Sequence, residues 1–520
     1  MKLEPALDSV AFHLLAGLAV RGLSTFFANA GTDFAPLIEA HVLGSRRGVA
    51  MPRFINVPHE QAAVSIAHGA HLVDGKPQLV GVHHTVGTAN TVSAVMTAAR
   101  ERIPLLLLAG RAPLTERGNV ASRDVVVHWG TDTFDQGGLI REYTKWDHEL
   151  REGQCVEDIL DRALDIAMTA PRGPVYLTLP REVMVAPAFK TGVPGRPRTG
   201  ATGARPDEAA IAQLSDWLMA AQRPLIVTSS AGRDVSVPAA LAALAETAAV
   251  PGVEHYPRVV NLPGAHLFHA GFDPGPLVAE SDLIIALDCE VPWLPRSVSP
   301  PAGARIVHIG VDPLYTRIPV RSFAVDLAIV TQTGVALRAL QAAFVQRCDV
   351  DTPAMTQRRA LAAHRKQRQC EAIDAVRRPV APSTPIDAAW LSLCLRDMAD
   401  EDTVLLNEYG LQLGLMDFAG AHDFFSAGIS GALGWTMGAA LGVRMAAPHK
   451  TVIAVVGDGS YMFGNPTPCH YLAEAERLPI LTIVLNNAGY AAVRRAVQVV
   501  YPDGAAIEEA TLPLASFDPQ

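Results

Sequence analysis

Two clusters of polar residues follow two apolar, β-branched runs in the last quarter of the chain. The run 451–456 leads into Gly457-Asp458-Gly459-Ser460, and the run 480–485 leads into Asn486-Asn487. A helix-compatible segment separates the runs, so the pattern predicts a strand–helix–strand unit of a parallel sheet. Ligands of such sheets bind at the carboxyl ends of the strands, and we expect the two clusters to meet there.

The residue types in these clusters suit a metal-bridged diphosphate. Asp458 offers a carboxylate oxygen, Asn487 an amide oxygen and Gly489 a backbone carbonyl. Mg²⁺ prefers such oxygens and usually keeps phosphate oxygens among its other ligands. Gly457 and Gly459 let the backbone approach the phosphates, and a following helix N-terminus favours anions. The alternative is a plain strand–helix–strand unit with a structural aspartate in its turn.

The stretch from Gly457 to Asn487 resembles the thiamine-diphosphate-binding motif of the acetolactate synthase and benzoylformate decarboxylase superfamily. The resemblance continues over almost the whole chain in that family's domain order. It implies thiamine diphosphate and Mg²⁺ as cofactors, with Asp458, Asn487 and Gly489 as metal ligands. The cofactor contacts that it implies in this stretch are Gly457, Asp458, Gly459, Ser460, Asn487 and Tyr490.

Glu60 follows His59 and precedes Gln61 at the start of a predicted helix, 59–72. An acidic residue in a first helical turn also has a structural explanation, because it complements the helix dipole. In the resembled family an HEQ segment supplies the glutamate that hydrogen-bonds N1′ of the aminopyrimidine. That bond tunes the cofactor for proton removal, so the resemblance implies that Glu60 is catalytic and cofactor-binding.

His83 and Thr32 are two further candidates for the catalytic site. Residues 82–90, VHHTVGTAN, are similar to the LHSAAGTGN segment of benzoylformate decarboxylases, in which the histidine is an acid/base. Thr32 falls where those enzymes carry a serine that binds the substrate carboxylate. The resemblance implies these roles here; the alternatives are a structural histidine and simple turn chemistry at Thr32.

Four residues before residue 451 complete the predicted cofactor site. Asn407 and Glu408 end a predicted strand, where the family begins its cofactor contacts. Gly431 and Leu433 lie in a segment that resembles the family's loop under the cofactor. The resemblance implies that Leu433 props thiamine in a bent shape and that the Gly431 carbonyl faces the 4′-amino group. The alternative is a helix start with glycine packing.

The resemblance and the alternation of apolar and helical segments together predict three doubly wound α/β domains with parallel central sheets. We place a pyrimidine-binding domain at 1–184, a central Rossmann-like domain at 206–346 and a diphosphate-binding domain at 386–520, joined by linkers at 185–205 and 379–385. No glycine-rich fingerprint follows the first central strand, so FAD is not expected. The chain ends at Gln520, where the family normally continues, so we expect the last domain to be truncated.

Composition excludes several classes of protein. The chain has 520 residues, of which 49% are hydrophobic and 18% charged, with a net charge of −9. This balance argues against generic nucleic-acid binding, and no apolar run approaches the ~20 residues of a membrane span. The six cysteines are scattered and the N-terminus lacks the features of a secretory signal, so we expect a cytoplasmic protein.

The leading hypothesis is a thiamine-diphosphate- and Mg²⁺-dependent decarboxylase or carboligase that acts on a 2-oxo acid. The resemblance implies a homodimer or homotetramer, with Glu60 from one subunit and Asp458 and Asn487 from the other at each site. One alternative is an acetolactate-synthase-like C–C ligase. Another is a catalytically silent subunit with the same fold.

Overall fold

The computed structural model describes residues 8–189, 195–347, 352–377, 385–509 and 512–516. Parts of both predicted linkers, 190–194 and 379–384, lie outside the described residues, as do residues 517–520. The chain forms two compact units, one of residues 1–201 with 427–520 and the other of residues 202–426.

The N-terminal part of the first unit contains a six-stranded sheet in the order β2-β1-β3-β4-β6-β5, with parallel neighbours throughout. Its strands are β1 (Thr25–Asn29), β2 (Arg53–Asn56), β3 (Gln78–Val82), β4 (Leu105–Arg111), β5 (Trp146–Glu149) and β6 (Val175–Pro180). Its helices are α1 (Val10–Val20), α2 (Ala35–Arg46), α3 (Glu60–Asp74), α4 (His84–Arg100), α5 (Val127–Gly130), α6 (Val156–Met168) and α7 (Arg181–Val185).

Helices cover both faces of this sheet, and each face has its own apolar core. Leu106 and Leu108 of β4 point into one core, whereas Leu105 and Leu107 point into the other. Successive side chains of a strand face opposite ways, so a strand covered on both faces must be apolar throughout. The sequence of β4 is accordingly a continuous apolar run.

The second unit contains a five-stranded parallel sheet in the order β11-β10-β9-β7-β8. Its elements are α8 (Glu208–Ala220), β7 (Pro224–Thr228), α9 (Val237–Ala248), β8 (Gly252–Glu254), α10 (Gly275–Val278), β9 (Leu283–Leu287), β10 (Arg305–Gly310), β11 (Leu327–Val330), α11 (Thr333–Val345) and α12 (Pro353–Arg377). The same unit contains α13 (Ala388–Met398), β12 (Thr403–Glu408) and β13 (Phe424–Ser426), and β12 pairs with β13 in parallel.

The C-terminal part of the first unit contains the elements that carry the polar clusters. They are α14 (Trp435–Ala446), β14 (Thr451–Gly457), α15 (Asp458–Phe463), α16 (Pro466–Ala475), β15 (Leu481–Leu485) and α17 (Ala491–Val500). The strands β14 and β15 pair in parallel, with Gly457 opposite Leu485. Parallel sheets whose strands are mostly connected by helices confirm the predicted α/β class.

Two helix starts position candidate residues. Helix α4 begins at His84, and the carbonyl of His83 receives the amide of Gly87. Helix α15 begins at Asp458, directly after its N-cap Gly457. An acidic residue in the first helical turn is stabilised by the helix dipole.

Candidate active site

Asp458 joins the two polar clusters at the carboxyl ends of β14 and β15. Its Oδ1 accepts a hydrogen bond from the amide of Gly459 at 3.0 Å, and its Oδ2 accepts one from the amide of Gly489 at 3.1 Å. Asp458 is buried, with 8% of its surface exposed. The clusters therefore lie side by side, as expected from the parallel order of the strands.

The loop after β15 carries two exposed asparagines, of which Asn486 closes a turn. Asn486 Oδ1 accepts a hydrogen bond from the amide of Ala488 at 3.0 Å, which closes a local turn. Asn487 is exposed. Gly489 has no room for a side chain, because a Cβ would lie 2.2 Å from the carbonyl oxygen of Ala515. The amide of Tyr490 donates to that same carbonyl at 2.9 Å, which fixes the loop.

The donor set at this edge fits a hard divalent cation. A buried carboxylate and the side-chain amide of an exposed asparagine follow neighbouring strands. Each carboxylate oxygen of Asp458 accepts one hydrogen bond from a backbone amide and has a further lone pair for a metal ion. Oxygen ligands of this kind, with open positions for phosphate oxygens, match the preferences of Mg²⁺. Asp458 and Asn487 are thus chemically able to hold the predicted ion.

Glu60 is the first residue of α3 and is only 6% exposed. Its Oε2 accepts a hydrogen bond from Asn90 Nδ2 at 3.1 Å. Gly87 of the neighbouring helix leaves space for the carboxyl group, because a Cβ there would lie 3.3 Å from Glu60 Oε1. A carboxyl that is buried with one such partner is suited to hydrogen-bonding a ring nitrogen of a ligand.

His83 forms a short hydrogen bond with a buried aspartate that sequence reasoning missed. Its Nδ1 lies 2.5 Å from Asp33 Oδ1, and Asp33 Oδ2 accepts a longer hydrogen bond of 3.4 Å from the amide of His84. The Asp33 side chain is fully buried, whereas 20% of the His83 side chain is exposed. Gly31 and Gly110 border the pair, at positions where a Cβ would overlap His83 and Asp33 respectively.

His84 stacks on His83 with ring centroids 4.0 Å apart and is fully buried. Burial lowers the pKa of His84 to about 4, although the Asp33 carboxylate acts in the opposite direction. The ring is therefore neutral at neutral pH. Its φ of 40° lies in the left-handed region, which is uncommon for residues other than glycine.

Thr32 contacts a second histidine that the sequence did not single out. Its hydroxyl lies 3.4 Å from His128 Nε2, and His128 Nδ1 receives the amide of Asp124 at 3.4 Å. His128 is fully buried, and burial, followed by the charge of Arg181, lowers its pKa. Thr32, Asp33, His83, His84 and His128 thus form one polar cluster.

The loop before α14 contacts the helix that begins with Glu60. Gln61 Nε2 donates a hydrogen bond of 3.1 Å to the carbonyl of Leu433. Gly431 and Gly434 on either side have φ values of 72° and 84°, which the loop requires and glycine supplies without strain. The structure therefore brings Leu433 to the N-terminal end of α3.

Asn407 and Glu408, the last two residues of β12, belong to the second unit. Asn407 is 7% exposed, and its Oδ1 accepts a hydrogen bond of 3.4 Å from the amide of Leu411. Glu408 is 1% exposed. Their predicted cofactor contacts stay predictions.

Two family models match the chain on either side of the central sheet. Residues 8–139 match the N-terminal TPP binding domain of thiamine pyrophosphate enzymes, and residues 409–517 match the C-terminal TPP binding domain. These segments carry Glu60, His83 and Asp458. The chain therefore carries both TPP binding domains of thiamine pyrophosphate enzymes, and it is similar to enzymes of the acetolactate synthase and benzoylformate decarboxylase type.

Similar proteins come from both branches of that type. Benzoylformate decarboxylase of Pseudomonas aeruginosa is 27% identical over 91% of this chain and 85% of its own length. Acetolactate synthase isozyme 1 large subunit of Escherichia coli is 24% identical over 87% of this chain and 78% of its own length. The solved structure of a 4-hydroxybenzoylformate decarboxylase of Rhodococcus jostii has the same fold, with a TM-score of 0.76, 23% identity, and coverage of 98% of this chain and 90% of that chain.

No helix among the described residues has the length and apolar character that a membrane span requires.

Proposed function

We propose that this chain is a thiamine-diphosphate- and Mg²⁺-dependent decarboxylase of a 2-oxo acid. The observation that carries the proposal is the Asp33–His83 hydrogen bond, which lies at the same carboxyl end of the N-terminal sheet as buried Glu60. A partly exposed imidazole held by a buried carboxylate is suited to donate and accept protons. The similarity to benzoylformate decarboxylase supports the same reaction class.

In this proposal the chain's own residues bind and orient the cofactor. When bound, thiamine diphosphate supplies a nucleophilic carbon and a sink for the electrons that the departing carboxylate leaves behind. Glu60 would hydrogen-bond N1′ of the aminopyrimidine, and Leu433 would support the ring. Asp458, Asn487 and the backbone carbonyl of Gly489 would hold Mg²⁺. The remaining proposed cofactor contacts are Asn407, Glu408, Gly431, Gly457, Gly459, Ser460 and Tyr490.

The polar cluster around His83 would handle the substrate. Thr32 offers a hydroxyl to the substrate carboxylate, and the contact with His128 orients that hydroxyl. His83 would donate a proton to the substrate after the loss of carbon dioxide, and Asp33 holds the imidazole ring in place. Because aldehyde formation requires that proton and ligation does not, an intact Asp33–His83 pair favours decarboxylation over ligation.

The proposal includes a homodimer or homotetramer in which two subunits share each site. It also includes a reducing compartment such as the cytoplasm. The second point is supported by the cysteines, because those within the described part of the chain are free: Cys155, Cys289, Cys370, Cys394 and Cys469.

A C–C ligase is the second candidate, because several acetolactate synthases are similar to the chain over most of its length. In that reaction a second carbonyl compound replaces the proton as the electrophile. Product analysis separates the two functions, since decarboxylation yields an aldehyde and ligation yields a hydroxylated keto compound with one new C–C bond.

The test begins with thermal melting in the presence of thiamine diphosphate and Mg²⁺, singly and together, followed by CO₂ release from a panel of 2-oxo acids. We expect a joint increase of several degrees in the melting temperature, because the ligands bind only the native state. Glu60→Gln is the matched variant and should lose CO₂ release while it still binds Mg²⁺ and diphosphate. An unchanged melting temperature with both ligands would overturn the proposal and favour a silent subunit.

A further inference from the structure

The fully buried ring of His84 has one nitrogen in an unusual state. The hydroxyl of Thr131 donates its only proton to the carbonyl of Val127 at 3.0 Å. The 3.2 Å contact between that hydroxyl and His84 Nδ1 therefore requires the proton on Nδ1. His84 Nε2 is left with a bare lone pair, and within the described part of the chain it has no hydrogen-bond partner.

This lone pair lies beside a carboxylate that a second histidine also contacts. His84 Nε2 is 3.8 Å from Asp33 Oδ2, and Asp33 Oδ1 is 2.5 Å from His83 Nδ1. One ligand atom from each of the three residues lies within 4.8 Å of the other two. Zinc bonds of about 2.0–2.2 Å to nitrogen and oxygen place ligand atoms a little over 3 Å apart. The partly exposed His83 ring is the member that can move to reach such a spacing.

Two further features agree with metal ligation. A ligating histidine usually donates its other ring N–H to a nearby oxygen, as His84 does to Thr131. Two imidazoles and one carboxylate favour a borderline cation such as Zn²⁺ over Mg²⁺, which prefers an all-oxygen set.

We propose that Asp33, His83 and His84 form a binding site for a divalent transition-metal cation of the Zn²⁺ type. The ion takes the place of the proton between His83 and Asp33. The ring proton of His83 moves from Nδ1 to Nε2, so the count of protons on the protein is unchanged. Three protein ligands leave a fourth position for water. If the proposed function holds, an ion at this site withdraws His83 from proton transfer and inhibits the enzyme.

The binding test uses full-length protein free of thiamine diphosphate and Mg²⁺, and it therefore does not depend on the proposed function. Isothermal titration with Zn²⁺ should detect one tight site in the wild type, and Co²⁺ should give a visible absorption band typical of nitrogen ligation. His84→Gln should weaken the site at least tenfold. His449→Gln, which changes an exposed histidine outside the cluster, is the control and should bind like the wild type.

Folding of each variant is checked by its melting temperature, and His83→Gln gives a second test if His84→Gln does not fold. Equal Zn²⁺ affinity and stoichiometry in the wild type, His83→Gln and His84→Gln would overturn the proposal and identify adventitious binding at other histidines. Absence of tight binding in the wild type would overturn it as well.

The functional consequence is measured separately with excess Mg²⁺ and thiamine diphosphate. Zn²⁺ should suppress CO₂ release, and a chelator should restore it. Persistent activity at a Zn²⁺ concentration that fills the titrated site would overturn the inhibitory role. Lack of CO₂ release under every condition would count against the proposed function, and the titration would still decide whether the metal site exists.

Discussion

At the scale of single residues, Asp33 connects two histidines that the chain places next to each other. One carboxylate oxygen contacts His83 Nδ1, and the other receives the backbone amide of His84. A carboxylate without exposure to water needs such partners, because an unpaired buried charge is costly. The same contacts fix the orientation of His83, so Asp33 is a positioning residue in the proposed reaction.

We expect Asp33→Asn to lower the kcat for aldehyde release by about two orders of magnitude and to change KM much less, because proton transfer by a positioned histidine contributes about 10²–10⁴-fold. Steady-state kinetics over a pH series measures both effects and should show an altered pH profile. Asp207→Asn is the control, since Asp207 is the N-cap of α8 and asparagine also caps helices well. A large fall in the melting temperature of Asp33→Asn that accompanies the fall in kcat, without an altered pH profile, would instead indicate a structural role.

His308 on β10 gives a prediction for stability against pH. Burial, followed by the charge of Arg321, lowers the pKa of His308 to about 4, from 6.5. The unfolded chain therefore binds a proton at this residue between pH 6.5 and about 4, and the folded chain does not. The contribution of neutral His308 to the free energy of unfolding is therefore fully present above pH 6.5 and is lost as the pH falls towards 4.

His308→Gln should reduce this decline, so the difference in unfolding free energy between wild type and variant should shift with pH in that window by on the order of 1–3 kcal/mol. Urea unfolding at several pH values measures the shift. An unchanged difference from pH 7 to 4.5 would contradict the lowered pKa.

At the scale of elements, α3 and α14 pack with their backbones in contact. A Cβ at Gly442 would lie 1.9 Å from the carbonyl oxygen of Ile66, and one at Gly69 would lie 2.0 Å from that of Ala439. Only glycine permits this approach. Since Glu60 and Gln61 begin α3 and Leu433 precedes α14, the close packing of the two helices also determines the distance between these residues.

Gly442→Ala tests the packing by the sign of its effect. Alanine in a helix interior normally stabilises by about 1 kcal/mol relative to glycine. Here the added Cβ meets a backbone atom that cannot move alone, so we expect a loss of about 1–3 kcal/mol. Gly130→Ala, where a Cβ meets no atom within 4 Å, is the control. Chemical denaturation compares the two, and a stabilised Gly442→Ala variant would contradict the close contact.

At the scale of the whole molecule, the question is which subunit supplies each residue of the proposed site. If the site lies between two subunits, a 1:1 mixture of Glu60→Gln and Asp458→Asn chains regains activity, because mixed dimers contain one site with both natural residues. Random association leaves about a quarter of all sites intact. Each variant remixed with itself is the control. Failure of the mixture to regain activity, despite subunit exchange measured by native mass spectrometry, would place both residues of a site in one chain.

Local patterns in the sequence were sufficient for the fold class, the family and the approach of Asp458 to the loop after β15. Continuous apolar runs between helical segments indicate parallel strands, and the carboxyl ends of paired parallel strands lie together whatever else the chain does. His83 could be found because it belongs to the motif at residues 82–90. Asp33 was within reach of the same reasoning, since it follows β1, the strand that pairs with β3.

Other features depend on long-range packing that no local pattern encodes. His128 reaches Thr32 from α5, a helix of four residues that is too short to show a periodicity, and the tautomer of His84 is set by Thr131, 47 residues away. The contact between α3 and α14 joins segments more than 360 residues apart, as the bond from Gln61 to Leu433 shows. Hydrogen bonds and backbone contacts of this kind exist only after the sheets have placed their helices and loops, and tertiary structure alone therefore decided them.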